Sequence, residues 1–304
     1  MMNFIKSIYY YFSQYTDPEE HKVGKFFSNV NEKNNKTKVI REANIYLQRN
    51  IIIVNLWLER KYKGYNYLTK SKRKILYKNS ELIKTDFEKY CNRYDLGTNL
   101  VLNSVNHRVN KISESNMQKL IYLTKIMTYL SPGNGLYNYR TSTTFGELLK
   151  DPKHSKITGD CNQIVTLYIY LFSLKYSIND LRLITIPGHV ALRFCDLDIE
   201  ATSGKFVDYS SKQPQELPIE EIIGINLLDT TDEYFQTHKI DSRFLLESAR
   251  LAFILSSSGE IVATNLSIAY NNAIVDSVNK NNYTLALSYA KQYKNNQLLN
   301  YVSN

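Results

Sequence analysis

Gly159-Asp160-Cys161-Asn162-Gln163, Gly188-His189 and Asp198-Ile199-Glu200-Ala201-Thr202 decide how the rest of the chain is read. A cysteine heads an apolar run, a histidine opens a strand-like segment 28 positions later, and a carboxylate stands 11 positions beyond that. From Cys161 to about Tyr176 the apolar residues Ile164, Val165, Leu167, Tyr168, Ile169, Leu171 and Phe172 cover nearly every side of a helix. A helix without a polar face is a buried one, so this segment is expected at the centre of a domain. Leu181 to Ile186 and His189 to Phe194 read as strands parted by Pro187-Gly188, and Asp196-Leu197-Asp198 reads as a turn into a strand over Ile199 to Thr202.

The order nucleophile, base, acid has chemical content. A cysteine acts through its thiolate, which the first turn of a helix favours through its free N–H groups and positive dipole end. Gly159 suits a sharp backbone turn there, and Asp160 suits the cap. An imidazole can take the thiol proton and later return it to a leaving group, while a carboxylate on its far side fixes the tautomer. Period-two alternation places Asp198 and Glu200 on one face, so Asp198 competes with Glu200 for the third role. Each residue taken singly also has a structural reading, the cysteine as a small core residue and the histidine as a hydrogen-bonded one. The backbone N–H of Cys161 is the natural first donor to an oxyanion, and no residue of the sequence stands out as the second.

Gly-Asp-Cys at the head of a buried helix, Leu-Arg-Leu-Ile-Thr-Ile-Pro-Gly-His-Val-Ala-Leu-Arg-Phe and then Asp-Ile-Glu-Ala-Thr together resemble the core of the transglutaminase-like superfamily. The resemblance covers roughly residues 137–209 and implies a papain-like arrangement, with the cysteine on a helix and the histidine and acid on adjacent antiparallel strands. It implies Cys161 as nucleophile, His189 as base and acid, Glu200 as orienting carboxylate, no cofactor, and thiol-mediated acyl transfer or hydrolysis at an amide of a peptide or protein. Two positions depart from the family: Asn162 stands where many members carry an aromatic residue, and Glu200 where aspartate is more usual.

Away from this stretch, residues 1–150 carry 25 Lys and Arg against 12 Asp and Glu, while residues 151–304 carry 13 against 17. The net charge of +9 therefore belongs to the first half. Arg60 to Lys78 holds eight basic residues and no acid, interleaved with Tyr62, Tyr65, Tyr67 and Tyr77. This segment is either a contact for nucleic acid or an anionic membrane, or a solvated helix face. Three cysteines (Cys91, Cys161, Cys195) without a C-x-x-C spacing form neither a disulfide framework nor a zinc site, and His189, Cys195 and Asp198 lack a fourth ligand. Met1 to Thr16 reads as an amphipathic helix through Phe4, Ile5, Ile8 and Phe12, and Ile51 to Leu58 is far too short to span a membrane. No transmembrane segment and a cytoplasmic location are expected.

Helical periodicity runs through Val39 to Leu58, Lys70 to Tyr94 and Asn116 to Leu130, and Ser131-Pro132-Gly133-Asn134-Gly135 breaks it. Beyond Asp241 three further helices follow; Ala269-Tyr270-Asn271 and then Tyr283-x-x-Ala286-Leu287-x-x-Ala290 resemble the small-large pattern of tetratricopeptide helices, which would offer a surface to a protein partner, and ordinary helical packing explains the same residues. The expectation is an α+β protein: a helical region over 1–130, a transglutaminase-like core over 131–228 with its Cys-bearing helix packed on antiparallel strands, and a helical segment over 229–304. The competing expectation is a catalytically silent scaffold of the same fold that binds a partner through its helices.

Overall fold

The apolar stretch after Asp160 forms a helix, Cys161–Ser173, whose residues from Gln163 to Phe172 are all buried. In the computed structural model, residues 8–94, 113–230, 234, 237–238 and 240–295 are described. Ahead of that helix come α1 (Pro18–Asn29), α2 (Lys36–Lys61), α3 (Lys70–Arg93), α4 (Glu114–Tyr129), β1 (Tyr137–Tyr139), α5 (Phe145–Leu148) and β2 (Ile157–Gly159). The central helix is α6. It is followed by β3 (Leu181–Ile186), β4 (His189–Phe194), β5 (Leu197–Glu200), β6 (Lys205–Val207), β7 (Gln215–Pro218), α7 (Ile222–Leu228), α8 (Ser242–Leu255), α9 (Gly259–Asn279) and α10 (Tyr283–Asn295).

The chain is α+β. Strands β6-β5-β4-β3-β7 form one sheet, antiparallel throughout, and β1 pairs with β2 in a short parallel ladder. Alternation along the strands sends Leu181, Leu183, Val190, Leu192, Phe194, Leu197 and Ile199 into the main core with α6. Ile184 and Ala191 form a second small cluster with Tyr209 on the other face, the face to which His189, Arg193, Asp198 and Glu200 alternate.

The first helices share the core of α6 rather than standing apart from it: one hydrophobic cluster runs from Val23 to Val262. Within α2 the backbone breaks at Asn50 (φ −164°, ψ 85°), whose Oδ1 accepts from the Ile53 N–H at 3.1 Å and so caps the second half. That half, Ile51 to Glu59, is buried at every residue, which is why its hydrophobic run lacks a polar face. No helix among the described residues is long and apolar enough to cross a membrane. Phe4 and Ile5 lie outside the described residues, while Ile8 and Phe12 are exposed. A second cluster (Leu246, Ala249, Ala263, Leu266, Tyr270, Ala273 and Tyr289 among it) joins α8, α9 and α10.

The basic segment is partly internal. Arg73 is buried and bonded to the buried Glu20 carboxylate at 2.6 Å, Lys63 donates to the Asn226 and Asp229 carbonyls, and Lys70 holds the Ser13 carbonyl at 2.7 Å. Three of its eight cations therefore hold the fold together, and the segment is not a continuous solvated cationic face.

Candidate active site

Cys161 occupies the first position of α6. Asp160 caps the helix, accepting from the Asn162 N–H at 3.0 Å, while Gln163 Oε1 accepts from the Asp160 N–H at 2.9 Å in a reciprocal capping box. Gly159 is needed for a different reason than a turn. Its φ is not positive, but a Cβ there would lie 2.8 Å from Leu148 Cδ1 and 3.2 Å from Gln163 Cβ. The strand entering the helix thus packs against α5 at van der Waals distance, which fixes where Cys161 begins.

The helix tip is also anchored from behind. Gln163 Nε2 donates to Asp229 Oδ2 at 3.0 Å, and Thr143 Oγ1 donates to Gln163 Oε1 at 3.0 Å. Deeper still, the buried Glu59 carboxylate accepts from the N–H groups of Phe145 and Gly146 at 2.8 and 3.1 Å, capping α5. Burial raises the Glu59 carboxyl to about 7 against the pull of Lys63. Burial and the Asp229 carboxylate likewise raise Asp160 to about 6, against the N–H bonds it accepts. These acids sit in a crowded, desolvated wall that fixes the cysteine rather than in open solvent.

His189 opens β4 immediately after the Pro187-Gly188 turn, where Gly188 takes φ +72°, a conformation that suits glycine. Its Nε2 lies 2.6 Å from Glu200 Oε2, and Cys161 is the group that acts most strongly on its charge. With Nε2 committed to the acid, Nδ1 is the nitrogen left for the sulfur. Cys161 and then Glu200 outweigh burial and raise the imidazolium pKa to about 10.

Glu200 closes β5 rather than opening a strand, since β5 begins already at Leu197 and Cys195 turns the hairpin with φ +51°. Continuing the β4–β5 register beyond Leu192↔Ile199 brings Glu200 level with Ala191, so His189 reaches it diagonally over that small side chain. The carboxylate is fully engaged: Oε2 accepts from His189 and the Tyr209 hydroxyl, and Oε1 accepts from the Thr202 N–H at 2.9 Å and the Thr202 hydroxyl. Burial alone would raise its pKa; the bonds from His189, Thr202 and Tyr209 prevail and hold it at about 2.

Asp198 shares the face but not the role. Its Oδ1 accepts from Arg193 Nε at 2.7 Å and its Oδ2 from the Tyr209 N–H at 3.1 Å. It holds the backbone of the tyrosine whose hydroxyl supports Glu200, and Glu200 alone of the two reaches His189. Cys195 is exposed, at the opposite end of β4 from His189, and no group of three or more His, Cys, Asp or Glu among the described residues is placed to hold a metal ion. Among the described residues, one groove of about 510 Å³ is lined by Tyr67, Lys72, Arg140 and His238 and another of the same volume by Arg41, Gln48 and Arg49; neither is lined by Cys161, His189 or Glu200. Cys161 and His189 instead sit half-buried at the helix tip.

Thr202, Tyr209, Gln163 and Asp229 were not legible as site residues. Only Gln163 carried a signal, since Asp-x-x-Gln before an apolar run is a capping-box pattern. Tyr209 and Asp229 act across folded distance. No known protein family, curated protein or solved structure matches the chain.

Proposed function

We propose that the chain is a thiol-dependent acyl hydrolase of transglutaminase-like, papain-like type, with Cys161 as nucleophile, His189 as base and acid, and Glu200 as the carboxylate that orients the imidazole. The observation that carries this reading is the 2.6 Å contact between His189 and Glu200 near Cys161 at the head of α6, with the histidine strongly favoured in its charged form. The cysteine proton passes to His189 Nδ1. The thiolate attacks an amide carbonyl, the C–S bond forms, and the carbonyl π pair moves to oxygen. Collapse restores the carbonyl and breaks the C–N bond, with the imidazolium protonating the departing amine. Water, deprotonated by His189, then cleaves the thioester; an amine in its place would make the same chemistry a transfer. Peptides or proteins are the substrates this reading implies, and a free thiol nucleophile belongs in a reducing compartment such as the cytoplasm.

The test is the acyl-enzyme. Incubation with an activated ester such as p-nitrophenyl acetate is expected to add one acetyl group at Cys161 by mass spectrometry, none in Cys161→Ala, and little in His189→Ala. Absence of acylation at Cys161 in the unaltered protein contradicts the reading.

A second, non-catalytic reading has an observation of its own. Ile268, Val275, Leu285 and Leu287 on α9 and α10 are exposed, as they would be on helices that bind a protein partner. Under that reading Cys161→Ala leaves partner binding and all function intact, and substitution of Val275 and Leu287 by serine abolishes them.

A further inference from the structure

We infer that the side-chain amide of Asn162 is the second donor to the oxyanion formed at Cys161, completing a site whose first donor is the Cys161 backbone N–H. The inference rests on the proposed acyl-transfer chemistry. Asn162 follows the nucleophile in the first turn of α6, and its Oδ1 lies 3.8 Å from Cys161 Sγ. Its backbone is fully used, the N–H by Asp160 and the carbonyl by the Thr166 hydroxyl at 2.8 Å. Its Nδ2, by contrast, has no hydrogen-bond partner among the described residues.

The protonated thiol donates to Oδ1. Once the proton has left for His189, the sulfur is an acceptor, and a half-turn of the planar amide about χ2 presents Nδ2 in place of Oδ1. The two ends of the amide are nearly equal in size, so the turn displaces nothing. When the C–S bond forms, the carbonyl oxygen bound to the same carbon becomes the negative atom beside the sulfur. An amide whose end already sits 3.8 Å from Sγ can place its N–H within the roughly 2.7–3.1 Å that such a donor requires. The Cys161 N–H is left over for the same oxygen, since the first N–H groups of a helix have no partner within it.

The other polar groups nearby are committed. Gln163 Nε2 is bonded to Asp229, and the Tyr137 hydroxyl donates to the Gly159 carbonyl at 2.9 Å. Tyr139 is the one rival. It pairs with Gly159 across the β1–β2 ladder, but its side chain is exposed.

The experiment compares two reactions at one sulfur. Iodoacetamide alkylates by displacement and creates no oxyanion, whereas p-nitrophenyl acetate acylates through one. In Asn162→Leu and Asn162→Ala the acylation rate is expected to fall by about 10²-fold or more, with the alkylation rate within about threefold of the unaltered protein, which also certifies that the site is assembled. Acylation within threefold of the unaltered protein in both variants overturns the inference, as does an equal fall in both reactions. A selective fall in Tyr139→Phe without one at Asn162 assigns the role to the phenol and likewise overturns it. Failure of the unaltered protein to acylate at Cys161 is the separate result that removes the hydrolase reading itself, and this inference with it.

Discussion

Glu200→Gln changes almost nothing in shape and tests the arrangement sharply. Glu200 accepts four hydrogen bonds, two at each oxygen. A glutamine offers one accepting oxygen and one donating NH₂, so either orientation leaves two former donors facing a donor. The hydroxyls of Thr202 and Tyr209 can rotate to accept, which softens the loss; the Thr202 N–H and His189 Nε2–H cannot both be satisfied. An orphaned buried donor costs about 1–3 kcal/mol. Loss of an opposite charge at this range lowers the imidazolium pKa by about 1–3 units, or about 1.4–4 kcal/mol of support for the charged ring. The expected result is a destabilisation of about 2–4 kcal/mol at pH 6 in urea unfolding, with the His189 titration, followed by NMR of the ring protons, moved downward by at least a unit. Asp198→Asn, which frees Arg193 but not His189, should leave that titration in place. A Glu200→Gln protein unfolding within 0.5 kcal/mol of the original with an unmoved histidine would refute the reasoning.

Three other outcomes follow from the same geometry. His189 gains its charge on folding, so its contribution is whole below an ordinary pKa of 6.5 and is lost as pH rises through about 10, while Glu200 contributes above 4.5 and loses its contribution as pH falls through about 2. The stability lost in His189→Ala, measured by urea unfolding at several pH values, should therefore be largest between about 4.5 and 6.5 and shrink toward 10. Glu20→Ala strands the buried Arg73 guanidinium and should cost about 3–5 kcal/mol in thermal or urea unfolding. Gly159→Ala drives a Cβ to 2.8 Å from Leu148 Cδ1, and a loss of about 1–3 kcal/mol is expected together with slower alkylation of Cys161 as the helix tip shifts.

The parts of the fold that were legible are those dictated by local periodicity. Lys70–Arg93, Glu114–Tyr129, Leu181–Ile186 and His189–Phe194 lie within two residues of their sequence readings at either end, because long apolar periods and the Pro187-Gly188 break declare themselves. The three-residue strands Tyr137–Tyr139, Ile157–Gly159 and Lys205–Val207 did not, since a pairing that short is decided by its partner. Nor did the break at Asn50, where a polar cap is hidden within one continuous apolar pattern. At the site, order and spacing singled out Cys161, His189 and a carboxylate, Asp198 or Glu200. The choice between Glu200 and Asp198 could not be made there, because alternation treats both alike and only the positions of Arg193 and Tyr209 separate them. Likewise the eight cations of Arg60 to Lys78 gave no hint that Arg73 and Lys63 point inward, where Glu20 and the Asp229 carbonyl await them.

The most direct test of the central claim is the rate of iodoacetamide labelling at Cys161 across pH 4–10, in the unaltered protein and in His189→Ala. A working Cys161–His189 pair predicts fast labelling at neutral pH in the unaltered protein and a marked fall in that rate when the imidazole is removed. Labelling that follows the ordinary thiol profile in both proteins, or that is slow throughout and indifferent to His189, would contradict it.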